Sequence, residues 1–179
     1  MKILFISLGC DKNLVDTEVM LGMLASRGYE MTNDEQEADI IVINTCCFIH
    51  DAKEESIQNI LEMAEYKKTG SCKALIVTGC MAQRYKEEIT QEIPEVDAVL
   101  GTTSYGDIVK ALNEAQAGNV FQEFRDINEL PEDSGRRVLT TGGHFGYLKI
   151  AEGCDKHCTY CIIPSLRADS EVFRKNDFL

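Results

Sequence analysis

Positive charge is scarce in this chain: 18 Lys and Arg residues stand against 30 Asp and Glu, a formal net charge of −12 over 179 residues. Such a balance repels phosphate backbones, so direct nucleic-acid binding by this segment is not expected, and a basic protein is the better-matched partner. Long apolar runs are missing too. No stretch would span a bilayer, so no membrane association is expected, and no apolar signal segment follows Met1-Lys2. Neither GxGxxG nor a GxxxxGK(S/T) loop occurs, which leaves nucleotide binding by a phosphate cradle without support. Internal repeats and low-complexity runs are likewise absent.

Cysteine, by contrast, is abundant, with eight residues. Without an export signal the expected compartment is the reducing cytoplasm, where clustered cysteines serve as metal ligands or reactive thiols rather than as disulfides. The run Cys154-Asp155-Lys156-His157-Cys158-Thr159-Tyr160-Cys161 places three thiols at CxxxCxxC spacing in one short loop. Soft thiolates match iron, and three of them suit three corners of an iron–sulfur cube with the fourth iron left open for a substrate or cofactor.

From Lys2 to about Ala115, short β-branched apolar runs alternate with longer amphipathic stretches, the pattern of an α/β fold. The fold class expected is an open, mainly parallel sheet with helices on both faces. Strands are expected at Lys2–Leu8, Asp39–Asn44, Lys73–Thr78 and Val96–Leu100, with a short one at Tyr29–Thr32. Helices are expected at Leu14–Arg27, Ala52–Tyr66, Ala82–Glu92 and Tyr105–Ala115. Gly28 suits a left-handed cap, and Ile57, Ile60, Leu61 and Ala64 form an apolar stripe. Residues 1–115 therefore read as one domain, 116–146 as a linker, 147–167 as the first strand and cysteine loop of a second domain, and 168–179 as a polar tail. That tail is far too short to build a barrel.

Cys10, Cys46 and Cys80 each follow an expected strand, and in a parallel sheet those strand ends share one edge. Ligand sites of open α/β sheets form outside that edge, so the fold could gather the three thiols into one cluster. Gly9 and Gly79 would let the backbone turn tightly there, and the helices that follow would direct amides toward it. Cys47 and Cys72 read as structural. His50, His144 and His157 lack partners at catalytic spacing and read as solvent-facing; Met20, Met23 and Met31 read as core filler. Asp16 suits the helix dipole beside Lys12 and Asn13, and Arg84 could face the strand-end thiols.

Four segments in order carry a resemblance: Ser7-Leu8-Gly9-Cys10-Asp11-Lys12-Asn13-Leu14-Val15-Asp16-Thr17-Glu18, Asn44-Thr45-Cys46-Cys47-Phe48-Ile49, Gly79-Cys80-Met81-Ala82-Gln83-Arg84-Tyr85 and the CxxxCxxC loop. Together they resemble the methylthiotransferases, radical S-adenosylmethionine enzymes, over about Met1 to Arg167. The opening looks like the RimO type, which modifies an aspartate of a small-subunit ribosomal protein; the tRNA adenosine-modifying MiaB type usually has Gln-Met where Asp11-Lys12 stand. The resemblance implies two [4Fe-4S] clusters. Cys154, Cys158 and Cys161 would hold the one that binds S-adenosylmethionine, with Tyr160 the aromatic usual beside it. Cys10, Cys46 and Cys80 would hold an auxiliary cluster that delivers sulfur. Implied partners are the basic ribosomal protein, an electron donor such as flavodoxin and a sulfur donor. Family members continue into a full barrel, whereas Arg167 is followed here by Ala168-Asp169-Ser170-Glu171 and the sequence stops at Leu179; the stretch is expected to be an N-terminal part that does not turn over alone. The rival from another class is a non-catalytic module holding zinc or a cluster.

Overall fold

The computed structural model describes residues 1–129 and 137–167, together with the backbone of 171–172. Six strands form one parallel sheet: β1 (Lys2–Ser7), β2 (Glu30–Met31), β3 (Ile40–Thr45), β4 (Ala74–Gly79), β5 (Ala98–Leu100) and β6 (Phe121–Glu123), in the spatial order β2-β1-β3-β4-β5-β6. The central strands β3 and β4 are buried along their whole length, as parallel strands covered on both faces must be. The two-residue edge strand β2 is exposed, which limits the unpaired backbone it presents.

The period of two along each strand sorts its side chains between two cores. Ile41, Ile43, Leu75, Val77 and Val99 face one way, against α2 (His50–Thr69), α3 (Cys80–Arg84) and α4 (Lys86–Glu92). Ile40, Val42, Ala74, Ile76, Ala98 and Leu100 face the other, against α1 (Asp11–Ala25) and α5 (Ile108–Gln116). Each fully buried aliphatic side chain contributes on the order of 1.5–3 kcal/mol through removal from water, and the dozen largest include Ile41, Ile60, Leu75 and Ile108. Successive crossovers run outward in opposite directions from β1 and from β3. The gap between these two strands is therefore the topological switch point, where the helices on either side diverge and leave a crevice.

The sheet and its two helical faces are those expected, with differences that have physical causes. The third expected helix is two, α3 and α4, broken at Tyr85, whose backbone leaves the helical region. On α2 the inward stripe is Ser56, Ile60, Met63 and Ala64, and Leu61 is 47% exposed, because the helix is rotated so that Ser56 reaches the backbone of Cys46. Met31 is exposed on the edge strand rather than in the core, whereas Met20 is fully buried. Gly28 adopts φ 82°, as a left-handed cap requires. The stretch read as a linker contains β6, which pairs with β5 in the main sheet. Beyond it, β7 (Ala151–Glu152) pairs antiparallel with β8 (Glu171–Val172), and α6 (Ile163–Arg167) packs Leu166 into the α2-α3-α4 core. Most of the expected polar tail, 168–170 and 173–179, lies outside the described residues.

Candidate functional site

Three adjacent strands of the sheet, β1, β3 and β4, deliver one cysteine each to the same edge. Cys10 is the N-cap of α1, Cys46 directly follows β3, and Cys80 is the first residue of α3 directly after β4. Strands in a sheet lie about 4.8 Å apart, so three neighbouring strand ends span about 10 Å. Cys10 and Cys46 flank the switch-point crevice. Cys46 and Cys10 are both close enough to Cys80 to act on its thiolate electrostatically. Cys10 is exposed; Cys46 and Cys80 are buried.

The backbone at this edge is held by close packing. Gly9 has φ 90°, and a Cβ there would come within 2.5 Å of the Cys46 Cβ and 2.8 Å of its Sγ. Gly79, at φ 93°, lies so close to β3 that a Cβ would stand 2.5 Å from the Thr45 carbonyl oxygen. The two glycines thus let neighbouring strand ends approach one another. Asn13 reinforces the arrangement: its side-chain amide donates to the carbonyls of Leu8 at 2.8 Å and Thr45 at 2.9 Å, tying α1 to the ends of β1 and β3. Asn44 returns the tie by donating to the Asn13 carbonyl at 2.8 Å and to Thr17 Oγ1 at 3.0 Å. Ser56 of α2 accepts from the Cys46 amide at 3.0 Å and donates to the Cys46 carbonyl at 2.8 Å.

A buried ionic network sits against this edge, and the sequence reading did not foresee it. Arg167, 4% exposed, donates from all three nitrogens of its guanidinium. Nε donates to Cys80 Sγ at 3.4 Å, Nη1 to both oxygens of Glu152 at 3.1 Å, and Nη2 to Asp16 Oδ2 at 2.9 Å and to Asn13 Oδ1. Lys149 bridges the same two carboxylates, at 2.5 Å to Asp16 and 2.8 Å to Glu152, and lies over the Tyr105 ring. Burial would raise the Glu152 carboxyl, yet Arg167 and Lys149 hold it down at about 2. Burial would lower Lys149, but Asp16, Tyr105 and Glu152 hold its ammonium above the ordinary lysine range. For Cys80, burial pushes the thiol up and Arg167 acts in the opposite sense. Asp16 lies beyond the first turn of α1, where Asp11 is the acidic residue, and is an internal partner of two cations. Glu18, also buried, accepts from Arg137 and from the Thr140 amide at 2.6 Å and hydroxyl at 2.8 Å.

The remaining predicted residues fall elsewhere. Cys154, Cys158 and Cys161 share a loop without regular structure apart from a turn in which the Cys161 amide donates to the Cys158 carbonyl at 3.0 Å. Cys158 is exposed, Cys154 and Cys161 are half-buried, and Tyr160 is 90% exposed. Cys47 donates to the Cys80 carbonyl at 3.3 Å; burial pushes its thiol up to about 11, and burial likewise raises Cys72. Arg84 lies over the Tyr85 ring and acts on the Cys47 thiol. His50, His144 and His157 are exposed. Among the described residues, no set of three or more His, Cys, Asp or Glu converges on a single-ion site. Three thiols are the kind of donor set that iron–sulfur clusters take.

The class of protein is a doubly wound α/β domain that carries three cysteines at the carboxyl edge of its sheet, beside the switch point. Residues 2–101 match the family described as Uncharacterized protein family UPF0004. The chain belongs to that family. It is 69% identical over 94% of its length to the ribosomal protein uS12 methylthiotransferase RimO of Lachnoclostridium phytofermentans. It is 52% identical over 93% of its length to the protein of the same name from Clostridioides difficile, and 50% identical over 93% to that from Trichlorobacter lovleyi. The chain spans 37–38% of the length of these three relatives and matches their N-terminal part.

Proposed function

We propose that this chain is the N-terminal, sulfur-handling part of a radical S-adenosylmethionine methylthiotransferase that adds a methylthio group to the β-carbon of an aspartate in the small-subunit ribosomal protein uS12. The observation that carries the reading is the placement of Cys10, Cys46 and Cys80 on three adjacent strand ends around the switch point. They would hold an auxiliary [4Fe-4S] cluster, and Cys154, Cys158 and Cys161 would hold the second, with S-adenosylmethionine beside Tyr160. When bound, these groups supply the radical, the sulfur and the methyl group that side chains cannot.

What the chain's own residues contribute is scaffold and surroundings. Gly9 and Gly79 permit the close approach of strand ends, Asn13 and Ser56 fix the backbone around Cys46, and Arg167 donates to Cys80. In this reading residues 1–115 with β6 form the cluster-bearing domain, and 147–167 form the first strand and cysteine loop of the catalytic half, which requires further chain to act. A soluble electron donor, a sulfur donor and a reducing cytoplasm complete the proposal. Among the described residues, no helix is long and apolar enough to cross a membrane. The acidic balance suits a basic ribosomal protein, and the relatives' shared uS12 name favours that substrate over tRNA.

The test uses a full-length protein carrying this N-terminal sequence, offered uS12 and tRNA in parallel under reducing, anaerobic conditions. Mass spectrometry is expected to find the methylthio group on uS12 alone, and none when Cys10, Cys46 and Cys80 are all replaced by Ala. Modification of tRNA instead, or full activity in the triple variant, would overturn the proposal.

A further inference from the structure

All three guanidinium nitrogens of Arg167 donate to buried partners contributed by three separate parts of the chain. Asn13 and Asp16 come from α1, Glu152 from β7 and Cys80 from the start of α3. A planar fork bonded through each of its three nitrogens has one orientation, so Nε is held where it meets the sulfur. Arg167 donates directly to a strand-end thiol, while Lys149, the other buried cation of the network, bonds to Asp16 and Glu152. Asp16 and Glu152 face three cations, Arg167, Lys149 and the partly exposed Lys12, whose Nζ lies 3.7 Å from Glu152, so a net positive charge remains beside Cys80.

We infer that Arg167 is a positioning residue for the strand-end triad: it fixes the Cys80 sulfur and, through its Nε hydrogen bond, favours the reduced state of a cluster held there. This rests on the proposed auxiliary cluster. Hydrogen bonds to ligand sulfur are one of the protein's controls over cluster potential, because they stabilise the added negative charge of reduction. The same side chain stands at the end of the segment that carries Cys154, Cys158 and Cys161. The electron affinity of one triad's cluster is thereby coupled to the docking of the segment that bears the other triad.

The experiment is a dithionite redox titration monitored by electron paramagnetic resonance. It uses the chain reconstituted anaerobically with iron and sulfide, in a background with Cys154→Ala, Cys158→Ala and Cys161→Ala so that only strand-end iron is read. Arg167→Gln and Arg167→Lys are compared with Lys149→Gln, and the double variant Arg167→Gln/Asp16→Asn guards against a misfolded single variant by removing one carboxylate along with the cation. The expected result is native iron content with a downward shift of about 59 mV, tenfold in the one-electron equilibrium, in every Arg167 variant and a smaller one for Lys149→Gln. Loss of iron from an Arg167 variant that keeps its native urea midpoint also supports the assignment. Native potentials in the Arg167 variants, or an equal shift in Lys149→Gln, would overturn the role of Arg167 while leaving the auxiliary cluster standing. Absence of iron in the parent background overturns the cluster itself and this inference with it.

Discussion

The two cysteine triads are built on opposite plans. Cys10, Cys46 and Cys80 are scattered over 71 positions of sequence and brought to one edge by the sheet, each anchored by a strand, a helix start or a buried hydrogen bond. Cys154, Cys158 and Cys161 are adjacent in sequence and share a loop with almost no scaffold, in which Tyr160 is almost wholly exposed. The first site is the product of tertiary structure and should stand or fall with the fold. The second is a local motif, and changes within it should leave the fold untouched.

The largest expected break of this contrast comes from the ionic network. Asp16→Ala leaves Arg167 and Lys149 buried with one carboxylate between them, and removing one partner of such a network costs about 3–5 kcal/mol. Urea denaturation should show that loss as a lowered midpoint with an unchanged slope. A loss under about 1 kcal/mol would show that the network is hydrated rather than sealed. Next in size is a core truncation beneath the strand-end site. Ile60→Ala, at a fully buried position of α2, should cost about 2–5 kcal/mol, while Ile150→Ala, 62% exposed just before the loop triad, should stay within about 0.5 kcal/mol. Equal losses at the two positions would erase the distinction between scaffolded and open regions.

The placement of Cys10, Cys46 and Cys80 at one edge was legible in the sequence because it depends on a rule of topology: continuous apolar runs such as Ile40–Ile43 and Leu75–Val77 become buried parallel strands, and whatever follows them lies at the carboxyl edge. The network was missed because no local pattern pairs residues as remote as Asp16, Glu152 and Arg167. A signal was nonetheless present. Asn13, Asp16 and Glu18 fall within a helix otherwise rich in Val, Leu and Met, and Arg167 closes the apolar turn Ile162-Ile163-Pro164-Ser165-Leu166; charges so placed are either exposed or paired. The rotation of α2 that exposes Leu61 escaped for a related reason, since the polar Ser56 points inward to serve the Cys46 backbone.

A smaller effect follows from Glu18, which pins the segment containing Arg137 and Thr140 to α1. Burial would raise its carboxyl, but the Thr140 amide and Arg137 together hold it below the ordinary glutamate value of 4.5. A carboxyl depressed in the folded state contributes stability that is present above 4.5 and is lost as pH falls through the folded value. Hydrogen exchange of the Val138 and Thr140 amides should therefore accelerate below pH 4.5 beyond its intrinsic pH dependence. Glu18→Gln should abolish that acid-linked change, and its persistence in the variant would assign it to another group. The smallest perturbation is thiol labelling of cluster-free protein at pH 8. Exposed Cys10 and Cys158 should react first, while Cys47 and Cys72, raised by burial, should wait for unfolding. Early modification of Cys47 would mean that the sheet edge opens readily.

The most direct measurement of the central claim is anaerobic iron and sulfide content after reconstitution. It compares the native chain with one variant carrying Ala at positions 10, 46 and 80 and another carrying Ala at 154, 158 and 161. Two clusters in the native chain, one in each variant, and a circular dichroism spectrum unchanged throughout are the predicted results. Undiminished iron in the strand-end variant would contradict the account, because three thiols brought together by the sheet would then be holding nothing.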